Sequence, residues 1–184
     1  MKRILSIFFC LFLTIAAFAQ YDNGMHLKFM GIPIDGTITE FQKKLKSKGV
    51  TYDAEASAEM DIGMRAFWGN FSGQQSQIIV YYGKRNKIVY AVKVFQIYGT
   101  DYDASNEYSK LKDLFIKKYG IDQISFSEND NKESLIINLF QGEIYLYRTE
   151  DEVWNQIQET HILQIQYSDT FNSAANDSSL MEDL

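Results

Sequence analysis

The sequence predicts an α+β fold, two tandem α-β-β-β units forming an antiparallel sheet with helices packed on one face. Three recurrences predict it. A lysine-rich amphipathic helix ends in glycine at Lys48-Gly49-Val50 and again at Tyr119-Gly120-Ile121, 120 − 49 = 71 positions apart. A Phe-x-Gly corner follows in each copy, Phe71-Ser72-Gly73 and Phe140-Gln141-Gly142, 140 − 71 = 69 apart. Each corner leads into an aromatic strand, Ile78 to Tyr82 and Ile144 to Tyr147, and then an alternating one, Lys87 to Phe95 and His161 to Tyr167. Landmarks at a near-constant offset mark an internal repeat.

The chain begins with the pattern of a signal peptide at residues 1–19. Lys2 and Arg3 precede an apolar run from Ile4 to Phe18, and Ala17-Phe18-Ala19 is a small-x-small cleavage signal before Gln20. The run falls short of the ~20 apolar residues that span a bilayer. The sequence therefore predicts a periplasmic or secreted protein, with no transmembrane anchor after signal cleavage. Cys10 is followed by Leu11-Phe12-Leu13 rather than standing at the cleavage site, which argues against lipidation.

Cleavage would leave 184 − 19 = 165 residues without cysteine, so stability must come from a hydrophobic core rather than disulfides. Loss of Lys2 and Arg3 leaves 16 basic and 24 acidic side chains, a charge of 16 − 24 = −8. The excess of acid argues against nucleic acid as a partner, so none is expected, and equally against anionic lipid surfaces.

The first unit spans residues 20–100. Thr37-Ile38-Thr39-Glu40 is a capping box, in which Thr37 and Glu40 satisfy each other's backbone N–H groups. Ile38, Phe41 and Leu45 form a narrow apolar stripe, and the lysines at 43, 44, 46 and 48 form a solvated face that favours the helix C-terminus. Residues 53–64 read as a connection with a short strand, and Gly83-Lys84-Arg85-Asn86 as a hairpin turn.

The second unit spans residues 101–169. Tyr108, Leu111, Leu114, Phe115 and Tyr119 place a helix over 105–119, stopped by Gly120. Residues 149–154, ending in Trp154, replace the tight turn of the first unit with a longer excursion. Residues 170–184 have the composition of a mobile C-terminal tail.

Period-two alternation assigns the faces of the sheet. Tyr90, Val92 and Val94 align with Leu163, Ile165 and Tyr167 on the helix-covered face, together with Ile78, Val80, Ile144 and Leu146. Ile79, Tyr81, Ala91, Lys93, Phe95, Tyr145, Tyr147, Gln164 and Gln166 fall on the open face.

Catalytic chemistry finds little support. No thiol follows the signal, His26 and His161 lack a neighbouring Ser-Asp arrangement, and no Gly-x-Ser-x-Gly elbow exists. Asp101 with Asp103, or Glu150 with Asp151 and Glu152, could serve a carboxylate-based glycan hydrolase. Their positions at a helix start and in a charged loop favour capping and solvation instead. Ser127 to Lys132 lacks the glycine turn and glutamate spacing of a calcium loop. No metal, cofactor or catalytic residue is assigned.

The 12 tyrosines, all after the signal, carry the functional expectation. Tyrosine joins apolar area to a polar tip and is enriched at interfaces, and it also stabilises solvent-facing sheets through cross-strand pairs. The binding candidates are Tyr81, Lys93, Phe95, Tyr145, Tyr147, Trp154, Gln164 and Gln166, and the partner class is a protein or a cell-envelope component. A structural envelope protein associating through sheet edges is a further possibility.

The duplicated unit, with its helix stopping at glycine and its three-stranded antiparallel sheet, resembles the β-lactamase-inhibitor-protein-like fold and the small outer-membrane-assembly lipoproteins. Phe29 to Thr37, Phe67-Trp68-Gly69-Asn70-Phe71-Ser72-Gly73, Lys87-Ile88-Val89-Tyr90 and the signal ending Ala17-Phe18-Ala19-Gln20 are similar to uncharacterised secreted proteins of Bacteroides-type bacteria. The resemblance implies a non-catalytic protein that grips a partner with an open, concave sheet. The inhibitors' disulfides and paired helices have no counterpart here.

Overall fold

The computed structural model describes residues 24–129, 132–150 and 161–181. Strands β1 (Lys28–Phe29) and β2 (Ile32–Pro33) form a small ribbon ahead of helix α1 (Ile38–Ser47). Strand β3 (Thr51–Asp53), helix α2 (Ala54–Glu59) and strands β4 (Met64–Phe71), β5 (Gln74–Tyr82) and β6 (Val89–Tyr98) complete the first half. The second half contains helix α3 (Asp101–Tyr119), strands β7 (Ile124–Asn129), β8 (Lys132–Leu139), β9 (Gly142–Glu150) and β10 (His161–Asp169), and helix α4 (Thr170–Met181). The α+β class is as the sequence predicts.

Strands β3 to β10 form one eight-stranded antiparallel sheet in the order β3-β4-β5-β6-β10-β9-β8-β7. The last strands of the two halves meet at the centre, where Val94 pairs with Ile165 and Lys93 with Gln166. Each half contributes four strands, one more than the repeat suggests. The extra strands are the edges: β3 is three residues long, and β7 carries Ser125, Ser127, Glu128 and Asn129, a composition that reads as a turn. Ser127 to Asn129 belong to β7 and Lys132 begins β8, with 130–131 between them outside the described residues.

One row of side chains crosses the entire sheet on its covered face: Tyr52, Phe67, Ile78, Val94, Ile165, Leu146, Leu135 and Phe126. The next row runs Val80, Val92, Tyr167, Ile144, Ile137 and Ile124. Phe41 and Leu45 of α1 and Tyr108, Leu111 and Phe115 of α3 join these rows in a single core. The two halves therefore share one interior.

The helix starts follow from local chemistry. Thr37 caps α1 through the Glu40 amide while the Glu40 carboxylate accepts from the Thr37 N–H at 2.9 Å, the expected capping box. Those bonds to Thr37, foremost the backbone one, hold the Glu40 carboxyl below its ordinary range. Helix α3 starts at Asp101, four residues earlier than its apolar spacing suggests, because Thr100 caps it through the Asp103 amide at 3.1 Å. Thr100 and Asp103 have the spacing of a capping box, a signal present in the sequence.

Three placements differ from the sequence reading. Residues 53–64, read as a connection with a short strand, contain helix α2, which Asp53 caps by accepting from the Ala56 amide at 3.0 Å. Residues 170–184, read as a mobile tail, contain α4, whose start is fixed by the wholly buried Asp169. Its carboxylate accepts from the Asn172 amide at 2.9 Å, from Leu27 N–H at 2.9 Å and from His26 Nδ1 at 3.2 Å. Asn172 in turn donates to the Ile34 and Val89 carbonyls at 2.8 and 3.1 Å, fastening α4 to the start of β6. Composition misses this because the groups that fasten the helix to the rest of the fold, at Leu27, Ile34 and Val89, lie over 80 residues away in sequence.

Tyr90 is the third. The register shifts between Tyr81 and Tyr82, where a β-bulge leaves Tyr90 beside Tyr81 with ring centroids 6.3 Å apart, rather than on the covered face. The Phe-x-Gly corners also differ. Phe71 ends β4 and is buried, whereas Phe140 lies in its turn, 78% exposed, with its ring 5.5 Å from Phe171 of α4. At Gly142 (φ 153°) a Cβ would strike the Ser168 carbonyl oxygen, so only glycine fits there.

Candidate functional site: the uncovered sheet face

Seven of the eight candidates come together on the face opposite α1 and α3. Trp68, Gln77, Phe95, Gln164, Tyr147 and Ser134 form one transverse row. Ala66, Ile79, Lys93, Gln166, Tyr145 and Ile136 form the next, and Met64, Tyr81, Ala91, Ser168 and Glu143 a third. Trp154 lies outside the described residues.

The face is not flatly exposed. Ile79, Ala91, Ile162 and Gln164 are buried, while Tyr81, Lys93, Phe95, Tyr145, Tyr147 and Gln166 are half-buried. Ala91 sits beside Tyr81, and Gln164 between Phe95 and Tyr147. Trp68, at 39% exposure, extends the aromatic surface toward the β3 edge, and its indole N–H donates to Asp53 at 2.8 Å. Strict alternation with the buried Phe67 is the signal that identifies Trp68 and Ala66 as part of this face.

Electrostatics follow from partial desolvation. Burial, then the neighbouring Tyr90 and Tyr147 hydroxyls, raise the Tyr81 hydroxyl above its usual range. Burial also raises Tyr147, which the Gln164 side chain partly opposes. The Tyr145 hydroxyl donates to Glu143 at 2.6 Å, and that bond, more than burial, raises it. Burial lowers the Lys93 ammonium, which lies 5.7 Å from the Tyr81 ring centroid in a cation–π arrangement. All three tyrosines are thus neutral donors at neutral pH.

Gln164 is 7% exposed, yet its Nε2 makes no hydrogen bond of normal geometry. Nearby, Gln166 Nε2 is occupied by Ser168 at 2.9 Å.

A cavity adjoining the face, lined by Ile62, Met64, Tyr81, Tyr90 and Asn176, holds about 220 Å³. That is below the roughly 300–1,000 Å³ of small-molecule sites. The surface suits an extended partner better than an engulfed one.

The nominated carboxylates have structural partners. Asp101, at the start of α3, pairs with Arg148 of β9 and lies 3.7 Å from His161, and Asp103 accepts from the Thr100 hydroxyl at 2.7 Å. The Glu150 side chain and residues 151–152 lie outside what is described. Among the described residues, no group of three or more His, Cys, Asp or Glu side chains is placed to hold a metal, and no helix is long and apolar enough to cross a membrane. No protein-family model, curated protein or solved structure matches this chain.

Proposed function

We propose that this protein is a non-enzymatic binding protein, periplasmic or secreted, that holds a protein or cell-envelope component against the uncovered sheet face. The observation that carries the reading is the gathering of Tyr81, Lys93, Phe95, Tyr145, Tyr147, Gln164 and Gln166 into three adjacent rows. Half-buried tyrosines supply apolar area at low entropic cost, and neutral hydroxyls add donors without the penalty of burying charge. An extended segment lying across the strands would meet aromatic, amide and aromatic groups in succession.

The test is capture from cell-envelope extract by immobilised protein, followed by mass spectrometry. The triple variant Tyr81→Ala, Tyr145→Ala, Tyr147→Ala is expected to lose the captured partner while keeping its circular dichroism spectrum. Removal of interface anchors of this kind costs about 2 kcal/mol or more apiece. Undiminished capture by a folded triple variant would sink the proposal.

A further inference from the structure

We propose that the outer edge of β7 is an interface, and that it pairs antiparallel with β7 of a second copy of this chain, in the register that sets Phe126 opposite its own image. The two ends of the sheet are finished differently. At the first, β3 stops after three residues because α2 begins at Ala54, and α2 then supplies what a further strand would: the Ser57 hydroxyl accepts from the Ala66 N–H of β4 at 2.9 Å. The Asp61 carbonyl accepts from the Met64 N–H at 3.2 Å. That end is closed. At the other end β7 runs six residues in unbroken register with β8, and among the described residues no side chain or turn supplies the amides of Ser125, Phe126 or Ser127 from outside. A bare edge of that length is a template for another strand, and monomers guard it with lysine, proline or a bulge. Ile124-Ser125-Phe126-Ser127-Glu128-Asn129 has none of the three.

The strand's own sequence selects the occupant. Opposed residues of an antiparallel pair point to the same face, so two copies related by a two-fold axis align only positions of like parity. With the axis at Phe126, Ser125 faces position 127 of the second copy and Ile124 faces position 128. Phe126 is 50% exposed and ends the apolar row that reaches it through Leu135 on the covered face. Its image continues that row, while the exposed serines of the opposite face pair across the joint. Ser-Phe-Ser reads the same in both directions, a match that an unrelated strand has no reason to offer. Both α3 helices then lie on one side and both uncovered faces on the other, in a sheet of 8 + 8 = 16 strands. Since the β3 end is closed, growth stops at two copies.

Sedimentation equilibrium of the purified protein from about 1 μM to about 1 mM tests the interface. A concentration-dependent dimer with no larger species is expected. Phe126→Lys removes the apolar contact and sets like charges against each other at the axis, and is expected to weaken dimerisation about a hundredfold while keeping the wild-type circular dichroism spectrum. Phe126→Glu alone is expected to do the same, and an equimolar mixture of the two variants to recover association, because position 126 meets itself. The triple variant Tyr81→Ala, Tyr145→Ala, Tyr147→Ala is expected to dimerise like the wild type, which separates this edge from the uncovered face. The proposal is overturned if the wild type stays monomeric across the range or forms larger species, if Phe126→Lys dimerises like the wild type, if the mixture stays monomeric, or if the triple tyrosine variant loses the dimer.

Discussion

Asp169→Ala should be among the most damaging single substitutions outside the apolar core, and the structure allows its size to be worked out. The wholly buried carboxylate accepts from the Leu27 amide at 2.9 Å, the Asn172 amide at 2.9 Å and His26 Nδ1 at 3.2 Å. Stranding the buried Leu27 N–H costs about 1–3 kcal/mol. Removing the cap of α4 costs about 0.5–2 kcal/mol. The partly exposed histidine pair adds about 0.2–1 kcal/mol. The total is roughly 2–6 kcal/mol, centred near 4. With a urea slope of about 2 kcal/mol/M, the unfolding midpoint should fall by about 2 M. Asp169→Asn keeps one acceptor oxygen and should lie between variant and wild type. Amide exchange adds a local reading, since Leu27 and Asn172 should lose protection first. A midpoint within about 0.5 M of wild type, or unchanged protection at both amides, would refute the reasoning.

Two further outcomes follow from the structure. Gly142→Ala drives a methyl into the Ser168 carbonyl at the β9–β10 junction, in a backbone conformation that L-residues rarely adopt, and should cost about 1–3 kcal/mol for the conformation alone, read as a lowered melting midpoint. Alkaline stability should fall in a defined window: burial, aided by Glu107 and Asp103, pushes the Tyr98 hydroxyl up to about 12, and burial, aided by Glu133 and opposed by Arg148, pushes Tyr108 up to about 12. The unfolded chain releases these protons near 10 and the folded one holds them, so this stability is complete below pH 10 and lost as pH rises to about 12. Unfolding followed by circular dichroism, with absorbance at ~295 nm reporting tyrosinate, should show that Tyr108→Phe flattens the loss.

Local chemistry made parts of the fold legible. Thr37 and Glu40 are three residues apart and satisfy each other, so the start of α1 is written in four letters. Alternation likewise puts Lys93, Phe95, Tyr145, Tyr147, Gln164 and Gln166 on one face, where the strand pairing also has them. What escaped depends on partners distant in sequence or on a single irregular residue. The bulge at Tyr81/Tyr82 moves Tyr90 to the other face without disturbing composition or period elsewhere. Edge strand β7 is polar because one side has no neighbour, which makes it resemble a turn. The cleft between α3 and the β1–β2 ribbon draws on Lys28, Phe71, Leu111 and Lys118, which no sequence window contains together.

The central seam has a directional consequence. Lys93 and Gln166 are directly paired, and they are also matched positions of the two halves, since 166 − 93 = 73 equals the 163 − 90 = 73 separating Tyr90 from Leu163. A local two-fold axis of the sheet therefore passes between them. In a symmetric dimer the residue at such a point meets its own image, and any ligand there has two equivalent ways to lie. In one chain the two sides differ: an ammonium stands on one and a neutral amide on the other, with Phe95 facing Gln164 one rung along. A strand laid across this seam would meet different chemistry at its two ends.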